Sequence, residues 1–197
     1  MTIAVLASGN PGKLREMADL LSGLDIDVVP QSRYGVPEAD ETGATFEANA
    51  LIKARHAVAF TGLPAIADDS GLCVDALHGQ PGVHSARYAG NGASDEDNIA
   101  KLLAALEGID DRSAAFHCVV CYVTPDADDE PLVARGVWRG EILRERRGSG
   151  GFGYDPVFLD PDTGKASAEL SAADKNARSH RGRALEKLRK ALAERLT

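Results

Sequence analysis

The sequence predicts an α/β fold built on a mixed sheet, on two observations. The chain opens with a strand, an amphipathic helix and a second strand in immediate succession, which is a β-α-β unit and implies parallel pairing. Near residue 120, two long alternating segments are joined by a short Pro/Asp turn, which implies antiparallel pairing. The 197 residues suit a single domain, or two lobes sharing one core.

Thr2 to Ala7 is an apolar strand, followed by a helix from Pro11 to Leu21 with Leu14, Met17, Ala18 and Leu21 on one face, ended by Gly23. A short strand follows at Asp27 to Pro30. Gln31 to Ala44 is polar and punctuated by Gly and Pro, hence a loop. Phe46 to Phe60 is an Ala-rich helix, and Pro64 to Ala67 a short buried strand that ends at Asp68-Asp69-Ser70-Gly71. Gly79 to Gly92 has loop chemistry. Ser94 and Asp97 form a capping box for a helix carrying Ile99, Leu102, Leu103 and Leu106. Ala114 to Val123 and Leu132 to Ile142 are the two long strands. After a Gly-rich stretch, Arg147 to Asp155, the chain from Ser171 onward is helical, with Leu185, Leu188, Leu192 and Leu196 in an apolar stripe.

Composition removes several classes of function. With 44% hydrophobic and 26% charged residues the chain is neither disordered nor a disulfide scaffold. The first apolar run, Ile3 to Ala7, is far below the ~20 residues of a membrane span and has no basic lead-in, so neither a signal peptide nor a membrane partner is expected. A net charge of −8 opposes a nucleic-acid partner but not a single nucleotide, which needs only local cations or a metal. Cys73, Cys118 and Cys121 are odd in number, which points to reduced thiols and a cytoplasmic protein. On a strand, Cys118 and Cys121 face opposite ways and do not converge on one metal.

Four segments carry chemistry. Ser8-Gly9-Asn10-Pro11-Gly12-Lys13 lies where a strand gives way to a helix, and a helix N-terminus with glycines and a lysine suits a phosphate. The same residues also make an ordinary βα turn with proline at the first helical position and a solvated lysine. Asp68-Asp69 is a pair of adjacent carboxylates whose repulsion a divalent cation would relieve, or else an Asx turn in water. Glu38, Asp40, Glu41 and Glu47 are further acidic candidates. In Gly150-Gly151-Phe152-Gly153-Tyr154-Asp155 an aromatic is flanked by glycines, as a base-stacking platform or as core anchors of a loop. Lys175 with Ser179-His180-Arg181 is a group of donors, or a solvated helix face.

Together, in this order, the segments resemble the inosine triphosphate pyrophosphatase family, which removes non-canonical purine nucleotides. The likeness runs through SGNPGK, Glu41-Thr42-Gly43, Thr45-Phe46, Asn49-Ala50, Lys53-Ala54, ADDSGL, PGVHSARYAG, GGFGYDP and SHR, and so covers essentially the whole chain. Ser8 stands where many relatives have Thr, which keeps the hydroxyl, and the lead-in Glu47-Ala48-Asn49-Ala50 differs slightly.

The resemblance implies a long, mixed, twisted sheet flanked by helices, in two lobes with an intervening nucleotide cleft. It implies hydrolysis of ITP, dITP and XTP to the monophosphate and pyrophosphate with Mg²⁺, in a homodimer. By it, Ser8, Gly9, Asn10, Pro11, Gly12 and Lys13 hold the triphosphate together with Lys53. Asp69 binds the metal and accepts a proton, Glu41 is the second metal carboxylate with Glu38 as its rival, and Ser70 touches substrate. Phe152, Gly153, Tyr154, Asp155, Lys175, His180 and Arg181 enclose the purine. Two other readings remain: a septum-inhibitor-like pyrophosphatase acting on modified pyrimidine nucleotides, and a non-catalytic nucleotide-binding module.

Overall fold

The computed structural model describes residues 2–21, 23–126 and 130–195; within them, the side chains of Pro11, Glu16 and Leu20 are not described. Leu196 of the apolar stripe and much of the turn joining the two long strands lie outside the described residues. The chain order is β1 (Thr2–Leu6), α1 (Pro11–Leu21), β2 (Ile26–Pro30), α2 (Phe46–Thr61), β3 (Ala65–Val74), α3 (Asp95–Ala105), β4 (Ser113–Val123), β5 (Leu132–Ile142), β6 (Phe158–Asp160), β7 (Lys165–Ala166), α4 (Ala172–Arg178) and α5 (His180–Arg195). The strands form one open sheet in the order β2-β1-β3-β4-β5-β6-β7. β1 is parallel to β2 and β3, whereas β6 is antiparallel to β5 and β7, so the sheet is mixed as expected.

Two compact units arise from this chain. The first comprises 1–69, 118–136 and 183–197 and the second 70–117 and 137–182, so that β3, β4 and β5 contribute residues to both. In the first unit the sheet has an apolar layer on each face. Met17 and Leu21 of α1 and Leu185, Leu188 and Leu192 of α5 pack with Ile66, Cys118 and Val120 on one face. On the other, Ala50, Ala54 and Ala57 of α2 pack with Ala65, Ala67, Val119 and Cys121. The alternation along β3 and β4 allots successive residues to opposite layers. Alanines on α2 let that helix lie close to the sheet. In the second unit Phe116, Trp138 and Phe158 form the centre, with ring centroids 4.5 Å apart for Phe116–Phe158 and 5.0 Å for Trp138–Phe158, backed by Ile99 and Leu102 of α3 and by Leu106, which caps it.

Two expectations need correction. β3 does not end at Ala67: it runs for ten residues, straight through Asp68-Asp69-Ser70-Gly71 to Val74. Asp, Ser and Gly are poor strand residues by themselves, but here pairing within the sheet and lysine partners for the carboxylates outweigh that preference. The chain after Ser171 is two helices, not one. α4 ends at Arg178, and Ser179 opens α5 by accepting a hydrogen bond from the Gly182 amide at 3.1 Å. The turn is so tight that a Cβ on Gly182 would lie 1.9 Å from the Asn176 carbonyl oxygen.

Cys118 and Cys121 do fall in opposite apolar layers, and burial pushes the Cys121 thiol up to about 12, so it stays protonated. Among the described residues no helix is long and apolar enough to cross a membrane.

Candidate active site

β1 pairs with β3 in the register Leu6↔Ile66, and the Ala7 amide still donates to the Ile66 carbonyl at 2.8 Å. Beyond that point β1 has become the loop Ser8–Asn10, so Asp68 and Asp69 stand beside the loop, at the carboxyl end of parallel strands where α/β sheets place their ligands. Alternation along the strand then separates the pair. Asp68, 1% exposed, faces α1, where Lys13 Nζ lies 2.8 Å from each of its oxygens. Asp69 faces α2, where Asn49 Nδ2 donates to its Oδ2 at 3.1 Å and Lys53 Nζ lies 3.7 Å from its Oδ1. The repulsion expected between neighbouring carboxylates is thus met by two lysines from two helices on opposite faces of one strand.

A cavity of about 190 Å³ opens here. Ser8, Gly9, Lys13, Lys53 and Asp68 line it together with Glu38 and Glu41. The two rival glutamates therefore face one space, with Glu41 tied to Lys53 at 3.2 Å. Among the described residues there is no ready-made group of three His, Cys, Asp or Glu side chains for a metal. The donor set is nonetheless hard oxygen, and suits a cation that arrives with substrate phosphates and needs only one or two carboxylates.

The helix end is less open than the sequence suggests. The Asn10 side-chain oxygen accepts from the Gly12 amide at 2.8 Å and the Lys13 amide at 3.3 Å, so those donors are capped from within. Ser8 Oγ accepts from the Asn10 amide at 3.2 Å, which holds the loop's turn. Ser70 follows Asp69 on β3 and is partly exposed.

In the second unit Asp155 is the hub. Buried, it accepts from the Phe152 amide and from Ser167 Oγ, each at 2.8 Å, and is ion-paired with Lys175. Gly151 must be glycine: its φ is +77°, and a Cβ would sit 2.1 Å from Asp155 Oδ2. The Gly153 amide donates to Asp95, at the start of α3, at 2.6 Å. These anchors leave the Phe152 ring 60% exposed, with Lys175 Nζ 4.9 Å and the Arg181 guanidinium 5.8 Å from its centroid. Tyr154 is different. It is buried, its hydroxyl donates to the Ser85 carbonyl at 2.8 Å, and burial pushes its pKa up, so the phenol stays a protonated anchor. His180 stacks on Phe116, with centroids 4.8 Å apart and planes at 12°.

A model of the Ham1 family matches residues 4–191 of this chain. The chain belongs to the Ham1 family. It is 61% identical over 182 residues to a dITP/XTP pyrophosphatase of Methylococcus capsulatus, covering 91% of this chain and 90% of that one. It is 58% identical to a dITP/XTP pyrophosphatase of Vibrio cholerae, with 98% of each covered. The solved Ham1 protein of Coxiella burnetii superposes with a TM-score of 0.95 at 54% identity, over 98% of this chain and all of that one.

Three residues that shape this Ham1 site have no role assigned by the sequence motifs. Asn49 was open to discovery from its spacing, since with Lys53 it forms an i, i+4 pair on one face of α2. Asp95 and Ser167 act on loops distant in sequence and left no local signal. The Asp155 hub yields a stability prediction for this Ham1 chain. Asp155→Ala strands a half-buried lysine, a hydroxyl and an amide, and should cost about 3 kcal/mol in denaturant unfolding. Ser167→Ala removes one neutral hydrogen bond and should cost about 1 kcal/mol. Equal costs would show that Asp155 is no hub.

Proposed function

We propose that this chain hydrolyses the non-canonical purine nucleoside triphosphates ITP, dITP and XTP to the monophosphate and pyrophosphate, clearing them from the nucleotide pool. The observation that carries this is the cavity in which two lysines and several carboxylates face one another beside the Ser8–Lys13 loop. Relatives that match nearly end to end bear the name dITP/XTP pyrophosphatase, which supports the choice of substrate.

Lys13 and Lys53 receive the negative oxygens of the triphosphate, and the Ser8 hydroxyl and Gly9 backbone allow close approach. Asp69 orients the attacking water and takes its proton as the water oxygen bonds to the α-phosphorus and the bond to the pyrophosphate leaving group breaks. Asn49 and Lys53 hold the two oxygens of Asp69 for that task. Asp69 and Glu41, with Glu38 as the rival of Glu41, are the residues to hold Mg²⁺, which when bound neutralises charge on phosphate oxygens.

The base is read by the loop that carries Phe152. Phe152 offers its exposed ring for stacking, and Lys175 and Arg181 are donors suited to the 6-keto oxygen of hypoxanthine and xanthine. Adenine presents an amino donor there and leaves such groups unmatched. Asp155 and Tyr154 serve the base by fixing the loop, because their polar atoms are already engaged by the protein. We place the enzyme in the cytoplasm, where its three cysteines stay reduced, and as a homodimer, which follows from the family likeness; light scattering giving a monomer mass at micromolar concentration removes the latter.

Activity is tested with pyrophosphate release from ITP, XTP, GTP and ATP. Chelation should abolish turnover and added Mg²⁺ restore it. Asp69→Asn should lower kcat at least about 10²-fold with the fold intact, and wild-type turnover in that variant removes the assignment. A pyrimidine-only profile or binding without release would favour the alternative readings.

Arg181→Ala should lower the ITP-to-ATP ratio of kcat/KM about tenfold, whereas Phe152→Ala should weaken all purine nucleotides alike. If Arg181→Ala slows ITP and ATP by one factor, Arg181 anchors the nucleotide without reading its base.

A further inference from the structure

Asn49 sits in the first turn of α2, wholly buried at 0% exposure. Both ends of its amide are used. Nδ2 donates to Asp69 Oδ2 at 3.1 Å, and Oδ1 accepts from the Gly43 amide at 2.8 Å. A backbone N–H can only donate and a carboxylate can only accept, so the surroundings admit one orientation of the amide. Aspartate lacks the donor, leucine lacks both groups, and serine is too short to reach both partners. Gly43 is fitted to this contact: a Cβ there would lie 2.7 Å from Asn49 Oδ1 and 2.7 Å from the Ala48 Cβ.

Two residues before Gly43 is Glu41, whose Oε1 lies 3.2 Å from Lys53 Nζ. Lys53 in turn lies 3.7 Å from the second oxygen of Asp69. The contacts close a ring: Asp69 to Asn49, Asn49 to the Gly43 loop, along the chain to Glu41, Glu41 to Lys53, and back to Asp69. Asn49 is the neutral member among three charged side chains, and it ties the Asp69 carboxylate to the loop's backbone.

We propose that Asn49 is a positioning residue for the hydrolysis, fixing the Asp69 carboxylate and, through Gly43, the loop that carries Glu41. This rests on the reading of Asp69 as the proton acceptor. Asn49 acts on the reaction through Asp69. It holds the carboxylate plane while Lys53 holds the charge, and a carboxylate free to rotate would lose its aim at the water.

The test pairs kinetics with a spectroscopic measurement on the protein free of metal and nucleotide. Asn49→Asp keeps the acceptor for Gly43 but removes the donor to Asp69. It should lower kcat on ITP roughly ten- to a hundredfold, with KM changed less than about threefold because the triphosphate contacts remain. Gly43→Ala, which pushes on Asn49 Oδ1, should lower kcat in the same direction. In ¹⁵N spectra the Asn49 side-chain amide pair should be protected from solvent exchange, vanish in Asn49→Asp, and shift in Asp69→Asn.

A folded Asn49→Asp with wild-type kcat, beside an inactive Asp69→Asn, overturns the role of Asn49 and leaves that of Asp69 standing. An active Asp69→Asn overturns the reading of Asp69 and the positioning role with it. If Asn49→Asp does not fold, the spectra decide: an Asn49 amide pair indifferent to Asp69→Asn overturns the proposal, and a shifted one supports it.

Discussion

Two adjacent carboxylates buried on opposite faces of one strand are the constraint around which the first unit is arranged. Burying one ionised group costs several kcal/mol unless a partner is supplied, and Asp68 and Asp69 impose that cost twice within two residues. A strand is the one regular structure that sends neighbours to opposite sides, so each carboxylate acquires its own helix. α1 brings Lys13 to one face and α2 brings Lys53 and Asn49 to the other. Had the chain turned at Asp68, as its composition suggests, both acids could have stayed in water and neither helix would have had a charged reason to dock.

The second unit solves a different problem with similar means. An aromatic ring held out in water tends to fold back onto apolar surface, yet Phe152 remains exposed because both amides that flank its carbonyl and ring are tied down. Asp155 takes the amide of Phe152 and Asp95 that of Gly153, while Tyr154 plugs the loop into the core. Rigidity there comes from carboxylates accepting backbone hydrogen bonds, and Gly151 supplies the room that the Asp155 side chain occupies.

Much of this was legible in the sequence, for identifiable reasons. The β-α-β opening, the capping box of Ser94 and Asp97, and the long strands β4 and β5 rest on local periodicity and capping chemistry, which the amino-acid order records directly. The site motifs were recognisable by their order along the chain. What the order did not record was depth. Asp68-Asp69-Ser70-Gly71 reads as a turn by residue type, and only the strands paired beside it and the two lysines make it a strand interior. Tyr154 and Phe152 sit two apart in the same glycine-rich run, yet one is buried and the other exposed, a distinction set by Ser85 some seventy residues away. Asn49 lay inside a recognised motif, but its use depends on Gly43 and Asp69 meeting it from two directions.

The cap on α1 separates two properties of a helix end that usually travel together. Asn10 satisfies the Gly12 and Lys13 amides, so the backbone there needs no water and no ligand to be complete. Its side chain is neutral, however, and leaves the roughly half-unit positive charge of the helix terminus uncancelled. An aspartate in that place would make the same hydrogen bonds while filling the electrostatic well. The loop thus presents field without vacancy: an arriving polyanion is attracted through space, while stray small anions find no open pair of amides on which to settle.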